Sequence, residues 1–342
     1  MKSVAVTRVT PSSNYYKRYL KTDPVADFEH AIHQSDTFCI ASDMVADLVL
    51  CPDLIFHQNR HAECPFTVVS KLRRKYGRRL RFYDSSDNPL PAFCGGYVSL
   101  EKGMLIHKYN CSVPYIATHS RFEPYSDARG RKHLWSFMGS AGTPASKGYE
   151  VRKNLLTMSS DESYVYDSSN LPVWQYDDHS LRVQLDAADQ MKHVMQKSRY
   201  VACPRGGGAT SMRFYEAMAC GAVPVLIGDS WIIPDVPYLG ESILRIRQRD
   251  VTNIHSYIAN DAGNWESRQQ RIVQIYRTYL SSNTIADTVL GKIAECDSVL
   301  SDNELYVSAC SYYLKIIRKI VNRLYDFNLK YQGVTCVNNN PM

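Results

Sequence analysis

The fold is decided by one stretch of the chain, Ser198-Arg-Tyr-Val-Ala-Cys-Pro-Arg-Gly-Gly-Gly-Ala-Thr-Ser-Met-Arg-Phe-Tyr-Glu-Ala-Met-Ala-Cys-Gly-Ala-Val-Pro-Val-Leu-Ile-Gly-Asp-Ser-Trp231. Its apolar runs, Tyr200 to Cys203 and Val223 to Ile227, predict two buried strands. A glycine-rich turn from Arg205 to Gly208 follows the first run, and a helix follows the turn. Such a turn exposes backbone N–H groups at a helix start, where the helix dipole adds partial positive charge. The segment therefore predicts a phosphate-binding site.

The glycine turn does not match the two commonest nucleotide-binding loops. A Walker loop needs Lys followed by Ser or Thr after its second glycine, and a dinucleotide fingerprint needs Gly-x-Gly-x-x-Gly directly after the strand. Here Arg205 precedes three glycines, and Thr210 or Ser211 is placed to cap the helix. Arg213 and Glu216 share one helix face, because they are three residues apart.

The Arg213 and Glu216 pair suits a nucleotide sugar. Guanidinium and backbone donors match a diphosphate, and a carboxylate matches the ribose hydroxyls. The alternative is a surface ion pair worth roughly 0.3 kcal/mol. The preceding glycine turn favours the ligand-binding interpretation.

With these residues in view, the segment resembles the exostosin-like glycosyltransferases, family 47. The matching positions are Cys203, Pro204, Arg205, Gly206, Ser211, Arg213, Glu216, Ala217, Gly221, Pro224, Val225, Asp229, Trp231 and Pro234. A second block, Leu134 to Ser140 with Arg152 to Leu156, is similar to another element of that family. The two blocks lie in the C-terminal half of the chain, and the N-terminal third resembles the family only faintly.

The resemblance implies an α/β chain of GT-B type, with two facing Rossmann-like doubly wound parallel sheets. It also implies an inverting glycosyltransferase that uses a nucleoside-diphosphate sugar, with UDP favoured, to extend a glycan or glycolipid acceptor in polysaccharide synthesis. The alternative is a non-catalytic nucleotide-sugar-binding partner subunit of another glycosyltransferase.

Strand and helix patterns divide the chain into an acceptor-side domain (1–130), a donor-binding domain (131–303), and a C-terminal helix with tail (304–342). Strands are predicted at 37–40, 54–56, 80–83, 104–107, 115–118, 134–138, 164–166, 200–203, 223–227 and 243–246. Helices are predicted at 149–156 and 187–197. Residues 121–132 are predicted to form an exposed linker.

The predicted donor-binding residues are Arg205, Gly206, Gly207, Gly208, Ser211, Arg213, Glu216, Gly139, Ser140, Lys147 and Arg152. Each also has a structural interpretation, since a glycine makes a tight turn and a charge at a helix start aids solubility. Asp229 and Trp231 are expected to shape the loop after a strand, either as a wall of the site or as core.

An inverting transferase also needs a general base. Asp84 and Asp87, after a predicted strand end, are ranked first, ahead of His107, His119 and Glu123, although an aspartate there is as often a turn former.

No metal or other cofactor is expected, because no metal triad and no Asp-x-Asp motif can be identified; Asp177-Asp178 is a weak substitute. The ten cysteines are irregularly spaced, which favours reduced, buried thiols. The start of the chain lacks a signal-peptide pattern, which predicts a cytoplasmic protein, or a Golgi-type one if the chain is trimmed from a longer eukaryotic protein.

The net charge of +6 is mild, and its local excess lies in a basic cluster, Lys71, Arg73, Arg74, Lys75, Arg78 and Arg79. A solvated helix face is favoured over an anionic partner, and nucleic acid is not expected as a partner, because no nucleic-acid-binding motif accompanies the cluster.

The predicted helix at 304–330 is amphipathic and basic. It either touches a membrane surface peripherally or packs back on the first domain, and the second interpretation is favoured.

Overall fold

A computed structural model gives the structure of the protein and describes residues 1–7, 24–52, 65–87, 89, 91, 93–106, 108–116, 130–171 and 178–297. The chain divides into one compact unit, Met1–Ser298, and a second unit, Val299–Met342. The second unit lies outside the described residues. The first unit contains two parallel sheets, each covered by helices.

The first sheet consists of six strands. They are β1 (Lys2–Val6), β2 (Phe38–Ile40), β3 (Leu48–Cys51), β4 (Leu80–Asp84), β5 (Gly95–Tyr97) and β6 (Asn110–Ser112). Their spatial order is β2-β1-β3-β4-β5-β6, and all neighbours run parallel.

The second sheet has five strands, β7 (His133–Gly139), β8 (Ser163–Asp167), β9 (Ser198–Pro204), β10 (Val223–Ile227) and β11 (Leu244–Ile246). Their order is β11-β10-β9-β7-β8, again all parallel. Two parallel α/β layers in one unit form the predicted GT-B architecture, so the predicted fold class is confirmed for both sheets.

The described α-helices are α1 (Pro24–His33), α2 (Pro65–Tyr76), α3 (Tyr149–Leu156), α4 (Asp178–Gln196), α5 (Met212–Ala219), α6 (Leu239–Ser242), α7 (Ile254–Asp261), α8 (Trp265–Ile275) and α9 (Ile285–Glu295). A π-helical turn, Tyr276–Leu280, continues α8.

The second layer, which consists of the second sheet and its helices, agrees well with the sequence predictions, because its local patterns are strong. All five residues of β10 are buried, as expected for a parallel strand covered on both faces. The predicted bounds of α3 agree with the structure, and Val151 and Leu155 form its buried stripe at i, i+4 spacing.

The first layer departs from the sequence expectations at its shorter strands. The strand predicted at 104–107 is wrong, because Lys102–Met104 forms a 3-10 turn and the strand is β6. Asn110 explains the shift, since its side chain accepts from Ile106 N and donates to the carbonyls of Pro91 and Met104. Residues 115 and 116 form no regular strand, and the predicted strand at 54–56 lies outside the described residues.

Strand β5 depends on a glycine whose role comes only from packing. A Cβ at Gly95 would lie 2.0 Å from the carbonyl oxygen of Phe82 on the neighbouring strand β4. Only glycine permits that approach, and a three-residue run containing glycines carries no strand signal in the sequence.

Helix α9 returns the chain to the first layer. It packs against β4, β5 and β6, and Arg81 of β4 donates to the Cys296 carbonyl at 2.8 Å, next to the end of α9. The predicted division at residues 130 and 303 stays a prediction. The predicted tail helix lies outside the described residues.

The linker predicted at 121–132 lies outside the described residues up to position 129, and its expected exposure is wrong for Arg131. The Arg131 guanidinium is buried and donates to the carbonyls of Met195, Ser198 and Cys220. These carbonyls lie near the C-terminal ends of α4 and α5, where a cation is favourable.

At least three of the six residues of the basic cluster make contacts within the fold. Arg73 donates to the Tyr109 hydroxyl, and Lys75 pairs with Asp43 at 2.9 Å. Arg79 donates to the carbonyls of Asp43 and Ala46. Arg73 and Lys75 therefore attach α2 to neighbouring segments, and Arg79 attaches the 3-10 turn Gly77–Arg79 that follows α2. Among the described helices, none is long and apolar enough to span a membrane.

Candidate functional site

The glycine loop joins β9 to α5 at the carboxyl end of the second sheet. Ser211 occupies the N-cap position of α5 with extended backbone, but its side chain makes no capping hydrogen bond. Thr210 is buried, and its hydroxyl has no partner within the described residues. The sequence therefore predicted the cap position correctly, while no cap bond to either hydroxyl is formed.

Arg205 begins the loop and is buried, with 6% of its side chain exposed. Its backbone N–H donates to the Ile227 carbonyl at 3.1 Å, which fixes the loop to the end of β10. Its Nη2 donates to Oε1 of Glu101 at 3.4 Å. Arg205 is thus a buried cation at the sheet edge, in contact with a carboxylate from the segment that follows β5.

Arg152, on α3, attaches that helix to the glycine loop. Its Nε donates to the Arg205 carbonyl at 2.9 Å, and its Nη1 donates to the Ser140 carbonyl at 3.2 Å. Burial and the nearby charge of Arg213 lower the pKa of Arg152 to about 10, against the opposing effect of Asp87. The side chain is therefore still cationic at neutral pH, and it joins the predicted Gly139-Ser140 turn to the loop.

Gly148 lets the start of α3 approach the loop. A Cβ there would lie 2.2 Å from the Arg205 carbonyl oxygen and 2.9 Å from that of Gly206. Since both neighbours are backbone atoms, a larger residue would displace the loop. No signal in the sequence alone pointed to this glycine.

Arg213 and Glu216 form the expected pair on α5, with Nη1 3.0 Å from Oε2. The Arg213 side chain is 22% exposed and that of Glu216 is 12% exposed. Because this pair is partly shielded from water, it differs from a fully solvated surface bridge.

The two predicted base candidates have different surroundings. Asp84 ends β4, is buried, and accepts a hydrogen bond from Ser86 N at 2.8 Å, which is the pattern of a turn former. Asp87 is exposed and lies against the glycine loop. A Cβ at Gly207 would lie 2.8 Å from its Oδ2, and one at Gly208 would lie 2.8 Å from its Oδ1. The structure thus brings Asp87, but not Asp84, to the loop.

Residues 97–260 match the family model of the Exostosin GT47 domain. This part of the chain is similar to that domain. Asp84 and Asp87 precede the matched range, whereas every predicted donor-binding residue lies inside it. The resemblance predicted from the sequence is thereby confirmed.

The exostosin relatives share part of their length with this chain. It is 27% identical over 187 residues to the Exostosin-1 homolog of Caenorhabditis elegans, covering 52% of this chain and 49% of that protein. It is 23% identical over 249 residues to Exostosin-1 of Drosophila melanogaster, covering 65% of this chain and 32% of that protein. The chain thus spans about half and about a third of the length of these two curated relatives.

Among solved structures, the chain is similar to HepE of Anabaena, solved in complex with UDP and glucose. The TM-score is 0.42 at 8% identity, with 86% of this chain and 99% of that chain covered. The fold assignment rests on the two parallel sheets themselves.

Sequence reasoning missed Glu101, which lies within the range that the family model matches. Its Oε1 accepts from Lys147 Nζ at 3.1 Å as well as from Arg205. Lys147 is 55% exposed, and this contact places its ammonium group beside the carboxylate that also contacts Arg205. No motif marks Glu101, because its role depends on a contact with residues far along the chain.

Other predicted residues have structural contacts. Trp231 is buried, its indole donates to the Val98 carbonyl at 2.9 Å, and its ring packs edge-on against Phe214. Trp231 is therefore a core residue. The Asp229 carboxylate accepts two hydrogen bonds from Gln248.

The remaining base candidates, His107, His119 and Glu123, lie outside the described residues. Within the described ranges, no group of three or more His, Cys, Asp or Glu side chains could hold a metal ion. The seven cysteines that the structure describes are free thiols, and Cys203 and Cys220 are buried as the sequence predicts.

Proposed function

We propose that this protein is an inverting glycosyltransferase that moves a sugar from a nucleoside-diphosphate sugar to a hydroxyl of a glycan or glycolipid acceptor, in polysaccharide synthesis. The observation that carries the proposal is the exposed Asp87 carboxylate lying against the glycine loop of the exostosin domain. An anion-binding loop and a free carboxylate side by side are the two parts that such a transfer needs.

The diphosphate of the donor binds at the loop in this proposal. The N–H groups of Gly206 to Gly208 and the guanidinium groups of Arg205 and Arg213 supply donors and positive charge. Charge-assisted hydrogen bonds of this kind are roughly twice as strong as neutral ones. The partly shielded position of Glu216, beside Arg213, supports a hydrogen bond from its carboxylate to the ribose hydroxyls.

Asp87 acts as the general base. It takes the proton of the acceptor hydroxyl, whose oxygen forms a bond to the anomeric carbon of the sugar. The bond from that carbon to the diphosphate oxygen breaks on the opposite face, and the electron pair leaves with the nucleoside diphosphate. The loop donors stabilise the charge that develops on the leaving oxygen, and inversion follows from the single displacement.

Positive side chains take the place of a metal ion in this proposal. Arg152, Arg205, Arg213 and Lys147 lie on or beside the loop, so the departing diphosphate has cations within the chain itself. UDP is the favoured nucleotide because of the exostosin resemblance.

A thermal-shift panel of UDP, UDP-sugars, GDP and GDP-sugars, each with and without a chelator, tests the donor site. A ligand at a hundred times its dissociation constant adds about 2.7 kcal/mol to the free energy of unfolding. We expect a clear upward shift with UDP compounds that chelation does not change. No shift with any of these nucleotides would overturn the donor-site assignment.

Turnover separates the enzyme from its non-catalytic alternative. Release of UDP from a UDP-sugar, accelerated by an acceptor oligosaccharide, is expected for a transferase. Nucleotide binding with no release under any of these conditions would support a nucleotide-sugar-binding partner subunit instead. Activity that a chelator abolishes and manganese restores would contradict metal independence.

A further inference from the structure

Glu101 is held in place by backbone pairing with the loop that follows β10. Glu101 forms an antiparallel bridge with Trp231. On its two sides, Lys102 N donates to the Ser230 carbonyl at 2.8 Å, and Ile232 N donates to the Leu100 carbonyl at 2.9 Å. The backbone of Glu101 is therefore fixed relative to the second sheet, although Glu101 follows a strand of the first.

The Glu101 carboxylate joins two cations of the site. Its Oε1 lies 3.4 Å from Arg205 Nη2 and 3.1 Å from Lys147 Nζ, and 20% of the side chain is exposed. Arg205 is almost fully buried, and its Nε has no hydrogen-bond partner within the described residues. One terminal nitrogen of the guanidinium is thus in contact with Glu101, while the Nε atom is buried.

Glu101 is ionised at neutral pH. Burial alone would raise the pKa of Glu101, but the hydrogen bond and charge of Lys147, with the charge of Arg205, lower it on balance. A fixed anion beside a buried guanidinium selects one rotamer of the arginine, because leaving that charge without a partner is costly.

We propose that Glu101 is a positioning residue of the donor site, which orients the Arg205 guanidinium for the diphosphate of the nucleotide sugar. This inference rests on the proposed function. Glu101 itself touches no phosphate; it acts through Arg205, as residues behind a ligand-binding group commonly orient that group. The cost is a negative charge near an anion site, and the neighbouring Lys147 offsets it.

Calorimetric titration of the full chain with UDP, and separately with inorganic pyrophosphate, tests the proposal. We expect Glu101→Ala to weaken binding of both probes about tenfold. Glu101→Gln keeps an acceptor oxygen in place and should restore most of the affinity. Glu295→Ala, which removes an exposed carboxylate on α9, serves as the control and should bind both probes as the wild type does. Thermal unfolding of each variant reports whether the fold is kept. If Glu101→Ala does not fold, Glu101→Asp carries the test, because its shorter side chain withdraws the carboxylate from Arg205 and should likewise weaken binding of both probes.

The Arg205→Ala background shows whether Glu101 acts through the arginine. There, Glu101→Ala should cause no further loss, because the group that it orients is gone. A full additional loss would overturn the positioning role. So would equal or tighter binding by Glu101→Ala in the otherwise wild-type chain, since the carboxylate would then only compete with the ligand. If the wild type binds neither UDP nor pyrophosphate, the proposed function fails together with this inference.

Discussion

The two layers contribute to the candidate site from very different stretches of sequence. In the second layer, the glycine loop and the start of α5 place Arg205, Arg213 and Glu216 within one continuous segment. In the first layer, Asp87 and Glu101 come from loops on either side of β5, and each meets the glycine loop only in the folded chain. The binding half is thus a local motif, whereas the half that is expected to carry the chemistry is assembled by packing.

This difference predicts that the two halves fail in different ways. A change in the second layer should reduce nucleotide binding, and a change at Asp87 should reduce turnover alone. The three predictions that follow are ordered from the largest expected effect to the smallest.

Asp87→Asn should lower the rate of UDP release from a UDP-sugar by about 10²- to 10⁴-fold, because the general base is lost. The affinity for UDP should not fall, because the change removes a negative charge beside the loop that is proposed to bind the diphosphate. The matched variant Asp84→Asn should keep its turnover and lose folding stability. It loses a charged acceptor of the Ser86 N–H, which lowers the free energy of unfolding by about 1–3 kcal/mol. Full turnover by Asp87→Asn would show that Asp87 is not the general base.

Gly148→Ala should lower the free energy of unfolding by about 1–3 kcal/mol and weaken UDP binding, because the new methyl group meets the backbone of the glycine loop. Gly240→Ala is the control, since a Cβ there has no neighbour within 4 Å. Denaturant unfolding and UDP titration of both variants measure the effect. Equal stability and equal UDP affinity of the two variants would contradict the prediction, because the glycine loop would then tolerate displacement.

Arg205→Ala should weaken UDP binding by about 10- to 100-fold, which is the effect of losing hydrogen bonds between charged groups. Arg199→Ala is a suitable control, because Arg199 lies near the other end of β9 and stacks on Trp265 at 5.2 Å. Its loss should leave the UDP dissociation constant unchanged in calorimetry. If Arg205→Ala instead kept its affinity and lost turnover, the assignment of binding to the glycine loop and of chemistry to Asp87 would be wrong.

The second layer could be predicted from the sequence to a large extent. The bounds of α3 and β10 and the strand-turn-helix order of the loop all follow from short-range patterns of apolar residues, glycines and helix formers. The Arg213 and Glu216 pair follows from helical spacing alone. The first layer was harder, because β5 and β6 are only three residues long and contain glycine and asparagine. Their pairing is set by contacts with neighbours, which periodicity does not contain.

The sequence by itself determined that this is a parallel α/β protein with a glycine loop between a strand and a helix, since backbone geometry and burial patterns repeat over a few residues. Only the tertiary structure placed Asp87 against the glycine loop, directed Arg152 to the loop carbonyls, and brought Glu101 to Arg205. The physical reason is that ion pairs and close approaches join residues far apart in the chain, as in the Arg205 and Glu101 pair, whose members are 104 positions apart. Their partners are chosen by the packing of the two sheets, which no local pattern records.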